Sequence, residues 1–281
     1  SSMFEGISKL RAGHMVEWNV TSGRKTIDDH PYWNIADVLN SRSPLKHEEI
    51  VDLGTHHLAR SVGSQNKTDT DVAIALSGGL DSSLNLELSS RKSVREDNPN
   101  RLLTLNASFE NADEVSDESL VAKRFSSDKK IPMLSVHLSE EDFWKEFEFV
   151  NEQLVDSPVI WPDMVLLSAM ARRLKKEKIK VLLVGEGGDE LGAYGSYFSF
   201  LNNVQEGKGQ FWNGKPVSSR HIIGFPDSDL EKYWKDQQPP LSNSERLIEL
   251  QSEIRVEGEE GLFRQVLNNE YKLRLPELLL Q

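Results

Sequence analysis

Ser77-Gly78-Gly79-Leu80-Asp81-Ser82-Ser83 is the stretch of this 281-residue chain best equipped for chemistry. Adjacent glycines reach backbone dihedrals closed to other residues, so successive N–H groups can converge on an anion while three hydroxyls add donors. Together they describe a phosphate nest opening a helix. Asp81 is the odd member, because a carboxylate repels a phosphate unless a cation lies between them; it calls for a Mg²⁺ bridge. The plainer reading is a Gly-Gly turn capped by Asp and Ser. A second glycine-rich acidic string, Gly185-Glu186-Gly187-Gly188-Asp189-Glu190, follows later in the chain. Taken alone it reads equally well as an acidic turn. The first string is not a Walker loop, which needs Gly-Lys-Ser/Thr, nor the dinucleotide pattern G-x-G-x-x-G.

Each string follows a short apolar run. The run from Val72 to the nest at Ser77, rich in Val, Ile and Ala, reads as a buried strand, and Ile179–Val184 as another ending at the second loop. Between them come a helix over Ser82–Ser90 and a strand over Leu102–Ala107 ending in Ser108-Phe109. An acidic helix over Glu114–Phe125, a strand over Met133–Leu138, and helices over Glu140–Leu154 and Met164–Lys175 complete the series. That alternation predicts an α/β fold, a doubly wound parallel sheet flanked by helices with right-handed crossovers. In such sheets ligands bind at the carboxyl ends of the strands where the winding reverses, so the two loops are expected to face each other.

Upstream, His14–Trp18 reads as a strand in a turn-rich stretch. His47–Arg60 reads as an amphipathic helix that lays Ile50, Val51, Leu53 and Leu58 on the sheet. Asp156–Pro162 reads as a loop fixed by two prolines, and Gly207–Pro216 as a polar loop containing Trp. Pro239-Pro240 reads as a turn, with helices over Ser244–Arg255 and Leu262–Tyr271 after it. The aromatic stripe Phe143, Trp144 and Phe147 is read as core packing.

The bulk composition excludes several classes. Hydrophobic content is 37%, and 33 Lys+Arg against 45 Asp+Glu give a net charge of −12. With a pI near 5.1 and a mean hydropathy of −0.50, the chain is an ordinary water-soluble type, ill suited to nucleic acid or an anionic membrane as partner. With no cysteine, disulfides, thiolate metal sites and a cysteine nucleophile are out of reach. No apolar run matches a bilayer's thickness and the first residues lack signal-peptide character, so a cytoplasmic location is expected.

The first string resembles the SGGxDS loop of the ATP pyrophosphatases, and the second resembles the GEGxDE element of the asparagine synthetases. Phe4-Glu5-Gly6-Ile7, Leu10, Ala12-Gly13-His14 and Tyr32-Trp33 resemble the segment that closes the glutaminase domain in that family, Ala12 standing where the family has Pro. Asp117-Glu118 resembles its Asp-Glu after the second strand, helix-dipole complementation being an equally good account. Leu191-Gly192-Ala193-Tyr194 resembles its Leu-Phe-Gly-Gly-Tyr imperfectly. The run Asn269–Gln281 resembles the approach to a further family helix.

The resemblance implies residues 1–45 as a linker like the end of a glutaminase domain and 46–281 as an ATP-dependent synthetase domain, incomplete at its C-terminal end. It implies a ligase using ATP and Mg²⁺, which converts an aspartate-like carboxylate to an acyl-adenylate with release of pyrophosphate and then aminates it with ammonia or an amine. Leu76, Ser77, Gly78, Gly79, Leu80, Asp81, Ser82, Ser83, Ser108 and Gly185 would bind the nucleotide. Asp81 and Asp189 would hold the metal, and Glu186 would take a proton from the attacking amine. A glutaminase or a complementing C-terminal chain is the implied protein partner. Other readings are a β-lactam-forming or other specialised amide synthetase, a tRNA-modifying or NAD synthetase sharing only the first motif, and a non-catalytic subunit of a split synthetase.

Overall fold

The computed structural model describes residues 6–18, 27–41, 45–91, 94–95, 100–110, 117–153, 162–192, 202, 210–212, 215–217 and 249–272. They fall into two compact units, one built on Leu45–Glu186 with the first residues of the chain, the other on Ser8–Pro44 together with Gly187–Gln281.

The first unit is a four-stranded parallel sheet. In chain order it comprises α2 (His47–Gln65), β3 (Val72–Ala75), α3 (Leu80–Ser89), β4 (Leu102–Phe109), α4 (Asp117–Asp128) and β5 (Met133–Leu138). These are followed by α5 (Glu140–Gln153), α6 (Pro162–Lys176) and β6 (Val181–Leu183). The strand order is β5-β4-β3-β6, with β3 paired to both β4 and β6. The winding therefore reverses between β3 and β6, the two strands that carry the glycine loops.

Why both faces are covered can be read from β3, whose side chains alternate across the sheet. Val72, Ile74 and Leu76 join Leu86 of α3 and Ala122 of α4 in one buried cluster. Ala73 joins Leu103, Leu105 and Met170 and Leu174 of α6 in another on the opposite face. Burying a side chain such as Leu or Ile stabilises the fold by about 1.5–3 kcal/mol, so this two-sided apolar strand fixes the layer order. A third cluster, Leu138, Val165 and Ala169, takes Phe143 and Phe147 of α5 against it, while Trp144 stays 54% exposed.

The helix over 47–60 departs from expectation. α2 runs unbroken through Gly54 to Gln65, yet Ile50, Val51 and Leu53 are exposed and only Val62 is buried. Its C-terminal turn is the part that docks: Asn66 Nδ2 donates to Ser89 Oγ at 3.0 Å, tying α2 to α3. Apolar periodicity located the helix but misassigned what its N-terminal half touches.

The second unit holds β1 (His14–Trp18) and β2 (Ile27–Pro31), an antiparallel pair in the register His14↔Pro31 to Trp18↔Ile27. It also holds α1 (Ile35–Asn40), α7 (Gly188–Gly192), the pair β7 (Gln210–Trp212) and β8 (Lys215–Val217), and α8 (Gly258–Asn269). β2 was not anticipated, and the β7–β8 pair stands within the stretch expected as a loop over Gly207–Pro216; strands of three residues, as β7 and β8 are, carry too little alternation to be seen. Asn34 Oδ1 caps α1 by accepting from Ala36 N–H at 3.1 Å. Asn40 then clamps the chain before α8, donating to Glu253 O at 2.8 Å and accepting from Arg255 N–H at 2.7 Å. The loop 156–161, Tyr194, the Pro239-Pro240 turn and the C-terminal run beyond Lys272 lie outside the described residues.

Candidate nucleotide site

β3 delivers the chain to the nest with its main chain fully engaged. Leu76, 1% exposed, donates its N–H to Leu105 O at 2.9 Å and accepts at its carbonyl from Asn106 Nδ2 at 2.8 Å. Asn106 is itself buried on β4, and its side chain spans two strands to fix where the loop departs. Sequence reasoning missed it, because Thr104 is a second polar residue in the run Leu102–Ala107 and neither names a partner.

The loop is stitched by its own hydroxyls. Ser82 Oγ accepts from Ser77 N–H at 3.3 Å and lies 3.1 Å from Ser77 Oγ; it donates to Gly79 O at 3.1 Å. Ser77 Oγ accepts from Gly79 N–H at 3.1 Å. Each hydroxyl proton is used once if Ser77 donates to Ser82. The Ser77 and Gly79 amides thus brace the turn, and Ser83 N–H closes the first bond of α3 on Gly79 O at 3.1 Å. The N–H groups of Leu80, Asp81 and Ser82 form the unclosed first turn of this ten-residue helix, a standard anion-binding position. Ser82 is buried, Ser77 and Leu80 are exposed, and Asp81 is half-buried.

Gly78 has φ of +100°, and a Cβ there would lie 2.2 Å from the carbonyl oxygen of Glu118. The main chain of Glu118, in the first turn of α4, therefore packs against the nest at Gly78. Only glycine satisfies both the dihedral and the contact.

The second loop meets the first at Gly185. A Cβ on Gly185 would stand 3.0 Å from Asp81 Cβ and 3.4 Å from Ser82 N, so the missing side chain keeps the approach to Asp81 open. Asn85 of α3 reaches across as well, donating from Nδ2 to Val184 O at 2.9 Å. Glu186 follows and is exposed. Asp189 and Glu190 sit in the first turn of α7, in the second unit, where Glu190 is 3% exposed. Burial first, and then the Glu190 carboxylate, push the Tyr271 hydroxyl above its ordinary value. Ser108, at the end of β4, lies with its Oγ 2.8 Å from His137 Nδ1 on β5.

These residues fit a Mg²⁺–triphosphate. Magnesium is held by one or two carboxylates and otherwise by phosphate oxygens and water, and Asp81, half-buried beside the helix start, would supply one such ligand. Among the described residues no cluster of three or more His, Cys, Asp or Glu is arranged to hold a metal by protein groups alone. No helix among them is long and apolar enough to cross a membrane.

A parallel sheet whose winding reverses beside a serine-glycine-aspartate loop defines a doubly wound α/β protein. The chain belongs to the asparagine synthase family, whose model matches residues 54–271. Among curated relatives, it is 29% identical over 243 residues to amidase chyE of Penicillium rubens, covering 82% of this chain and 34% of that one. It is 26% identical over 217 residues to the glutamine-hydrolyzing asparagine synthetase 2 of Bacillus subtilis, covering 72% and 27% respectively. The chain thus spans about a third of the length of the curated relatives it matches. Solved structures similar to it include the U34-tRNA thiolase NcsA of Methanococcus maripaludis, at 15% identity and a TM-score of 0.40 over 82% of this chain and 80% of that one. Another is NAD+ synthetase of Burkholderia pseudomallei, at 13% identity and a TM-score of 0.27 over 76% and 94%.

Proposed function

We propose that this domain activates a substrate carboxylate, of aspartate-like type, as an acyl-adenylate with release of pyrophosphate, and that ammonia or an amine then displaces AMP to form an amide. The observation that carries the reading is the apposition of two glycine-rich acidic loops at the ends of adjacent strands, with Gly185 set against Asp81. A carboxylate is a poor acyl donor because its leaving group would be oxide. Its oxygen attacks the α-phosphorus of ATP, the bond to the β-phosphate oxygen breaks, and pyrophosphate leaves carrying the charge. The first-turn N–H groups of α3 stabilise that charge as it develops, while main chain around Leu76 and Ser108 holds the adenosine. Mg²⁺, with Asp81 as a protein ligand, would supply charge neutralisation on the phosphates. In the second half-reaction the amine attacks the acyl carbon, AMP departs, and Glu186 takes the proton the amine must shed.

Amine transfer is preferred over ring closure because the curated relatives carry the names amidase and asparagine synthetase. One of those names specifies glutamine hydrolysis, so ammonia delivered by a glutaminase, in this protein or a partner, is the proposed nitrogen source. The proposed compartment is the cytoplasm.

The two half-reactions give a decisive assay. Adenylate formation needs an in-line carboxylate and neutralised phosphates but no base, so Glu186→Gln should keep most of the acid-dependent ATP–pyrophosphate exchange. Amide release should fall about 10²–10⁴-fold, the usual cost of losing a positioned base. Asp81→Ala should lower both. Equal losses in the two assays for Glu186→Gln would remove it as the base.

A further inference from the structure

The sheet has an open side remote from its winding reversal. β5 pairs with β4 alone among the described residues. In a parallel ladder a residue directs its N–H and C=O to the same neighbour, and successive residues alternate. Thr104 N–H donates to Pro132 O at 2.9 Å and Glu110 N–H to Leu138 O at 3.0 Å, so Pro132, Leu134, Val136 and Leu138 serve β4. Met133, Ser135 and His137 consequently turn both main-chain groups outward. One of these carbonyls is touched by a side chain, Arg173 Nη1 lying 3.5 Å from Ser135 O. That separation is long for a hydrogen bond and easily given up.

A cleft of about 420 Å³ runs along this edge, floored by Ser135–Leu138 and walled by α5 and α6. Its charged lining is Lys145, Arg172, Arg173 and Lys176 against Asp142 and Glu146, a cationic excess on a chain whose net charge is −12. Both carboxylates are already engaged. Asp142 Oδ2 accepts from Ser139 Oγ at 2.6 Å at the start of α5. Glu146, buried, accepts from Ser168 and from Arg172 Nε at 3.0 Å. Arg172 is further held over the Phe149 ring, 4.0 Å from its centroid. By contrast, Lys145 is held by an exposed one-turn pair with Glu141, of a kind that exchanges readily, and Arg173 by a half-buried one-turn pair with Glu177 besides its long contact to Ser135 O.

The cations do not converge on a point. Arg172, Arg173 and Lys176 are strung along a turn of α6, about 6 Å of helix axis, with Lys145 on the facing helix. A row of charge beside a row of outward backbone donors and acceptors matches an extended chain better than a single small anion.

We propose that the β5 edge and this cleft bind an extended acidic segment of a partner protein, added to the sheet as a strand beside β5. The segment's main chain would pair with Met133, Ser135 and His137. Acidic side chains at alternate positions, which share one face of a strand, would meet Lys145, Arg173 and Lys176, Arg173 giving up Ser135 O.

The test uses a fluorescent eight-residue peptide alternating Glu with Val, its Lys-for-Glu counterpart, and a backbone N-methylated copy of the acidic peptide, each titrated by anisotropy against the full chain. Binding of the acidic peptide alone, weakened at least tenfold in Lys145→Glu/Lys176→Glu, with slowed hydrogen exchange at the Ser135 and His137 amides, is the expected result. The N-methylated copy should lose affinity by a similar factor, an arm that needs no altered protein. Four outcomes would overturn the proposal: no binding, binding indifferent to N-methylation, binding without protection of β5, or displacement by inorganic phosphate at equal concentration.

Discussion

A methyl group at position 78 has nowhere to go. With φ at +100° and Glu118 O at 2.2 Å from the position its Cβ would take, Gly78→Ala must either unwind the nest or push the first turn of α4 away. A strained left-handed residue alone costs about 1–3 kcal/mol, and the clash adds to it. Urea unfolding should show a loss of at least about 2 kcal/mol, with the MgATP-dependent rise in melting temperature largely gone. Gly54 is the control. It lies within α2 with nothing within 4 Å of its Cβ direction, so Gly54→Ala should stabilise by up to about 1 kcal/mol and leave the nucleotide response intact. Asn106 offers a second probe at this scale. Asn106→Ala leaves the buried Leu76 carbonyl without the bond that fixes it, and a buried polar group stripped of its partner costs about 1–3 kcal/mol.

At the scale of elements, the N-terminus of α5 carries a pH signature. Ser139 and Asp142 bond reciprocally: Asp142 N–H donates to Ser139 Oγ at 3.1 Å, and the hydroxyl donates back to the carboxylate. Those bonds from Ser139, side chain first and backbone second, hold the Asp142 carboxyl below its ordinary value. A depressed folded-state value means that the stabilisation is fully present above the ordinary aspartate value of about 3.9. It is lost as pH falls through the depressed one. In an acid titration of unfolding free energy, Asp142→Asn should therefore flatten the fall below about pH 4 while changing little of its slope above pH 5. An unchanged acid limb would mean that the cap is not formed in solution. Elements like this one were legible because their signals are local. Met133–Leu138 was bounded correctly by its short apolar run, and both glycine loops were visible because their residue types are rare in combination. Partners were harder to read. The apolar face of α2 says that something could be buried, but the geometry leaves Ile50, Val51 and Leu53 exposed. Asn85 and Asn106 looked unremarkable, since a single polar residue in a sequence does not name the carbonyl it will reach.

At the scale of the whole molecule, the sheet and its supports are concentrated in one stretch of chain. All three buried clusters draw only on residues between Val72 and Leu183, and the nest with its Gly185 contact lies in the same unit. A fragment of residues 45–186 therefore keeps both faces of β3 covered and every strand of the parallel sheet paired as in the full chain. We expect it to unfold cooperatively, with a calorimetric enthalpy of roughly 100 kcal/mol near 60 °C, at the usual 0.7 kcal/mol per residue. Because Asp81 and the first turn of α3 remain, MgATP should still raise its melting temperature. Asp81→Ala in the fragment should abolish that rise. A fragment that melts broadly, binds a hydrophobic dye and ignores MgATP would show that residues 45–186 do not fold as an independent unit.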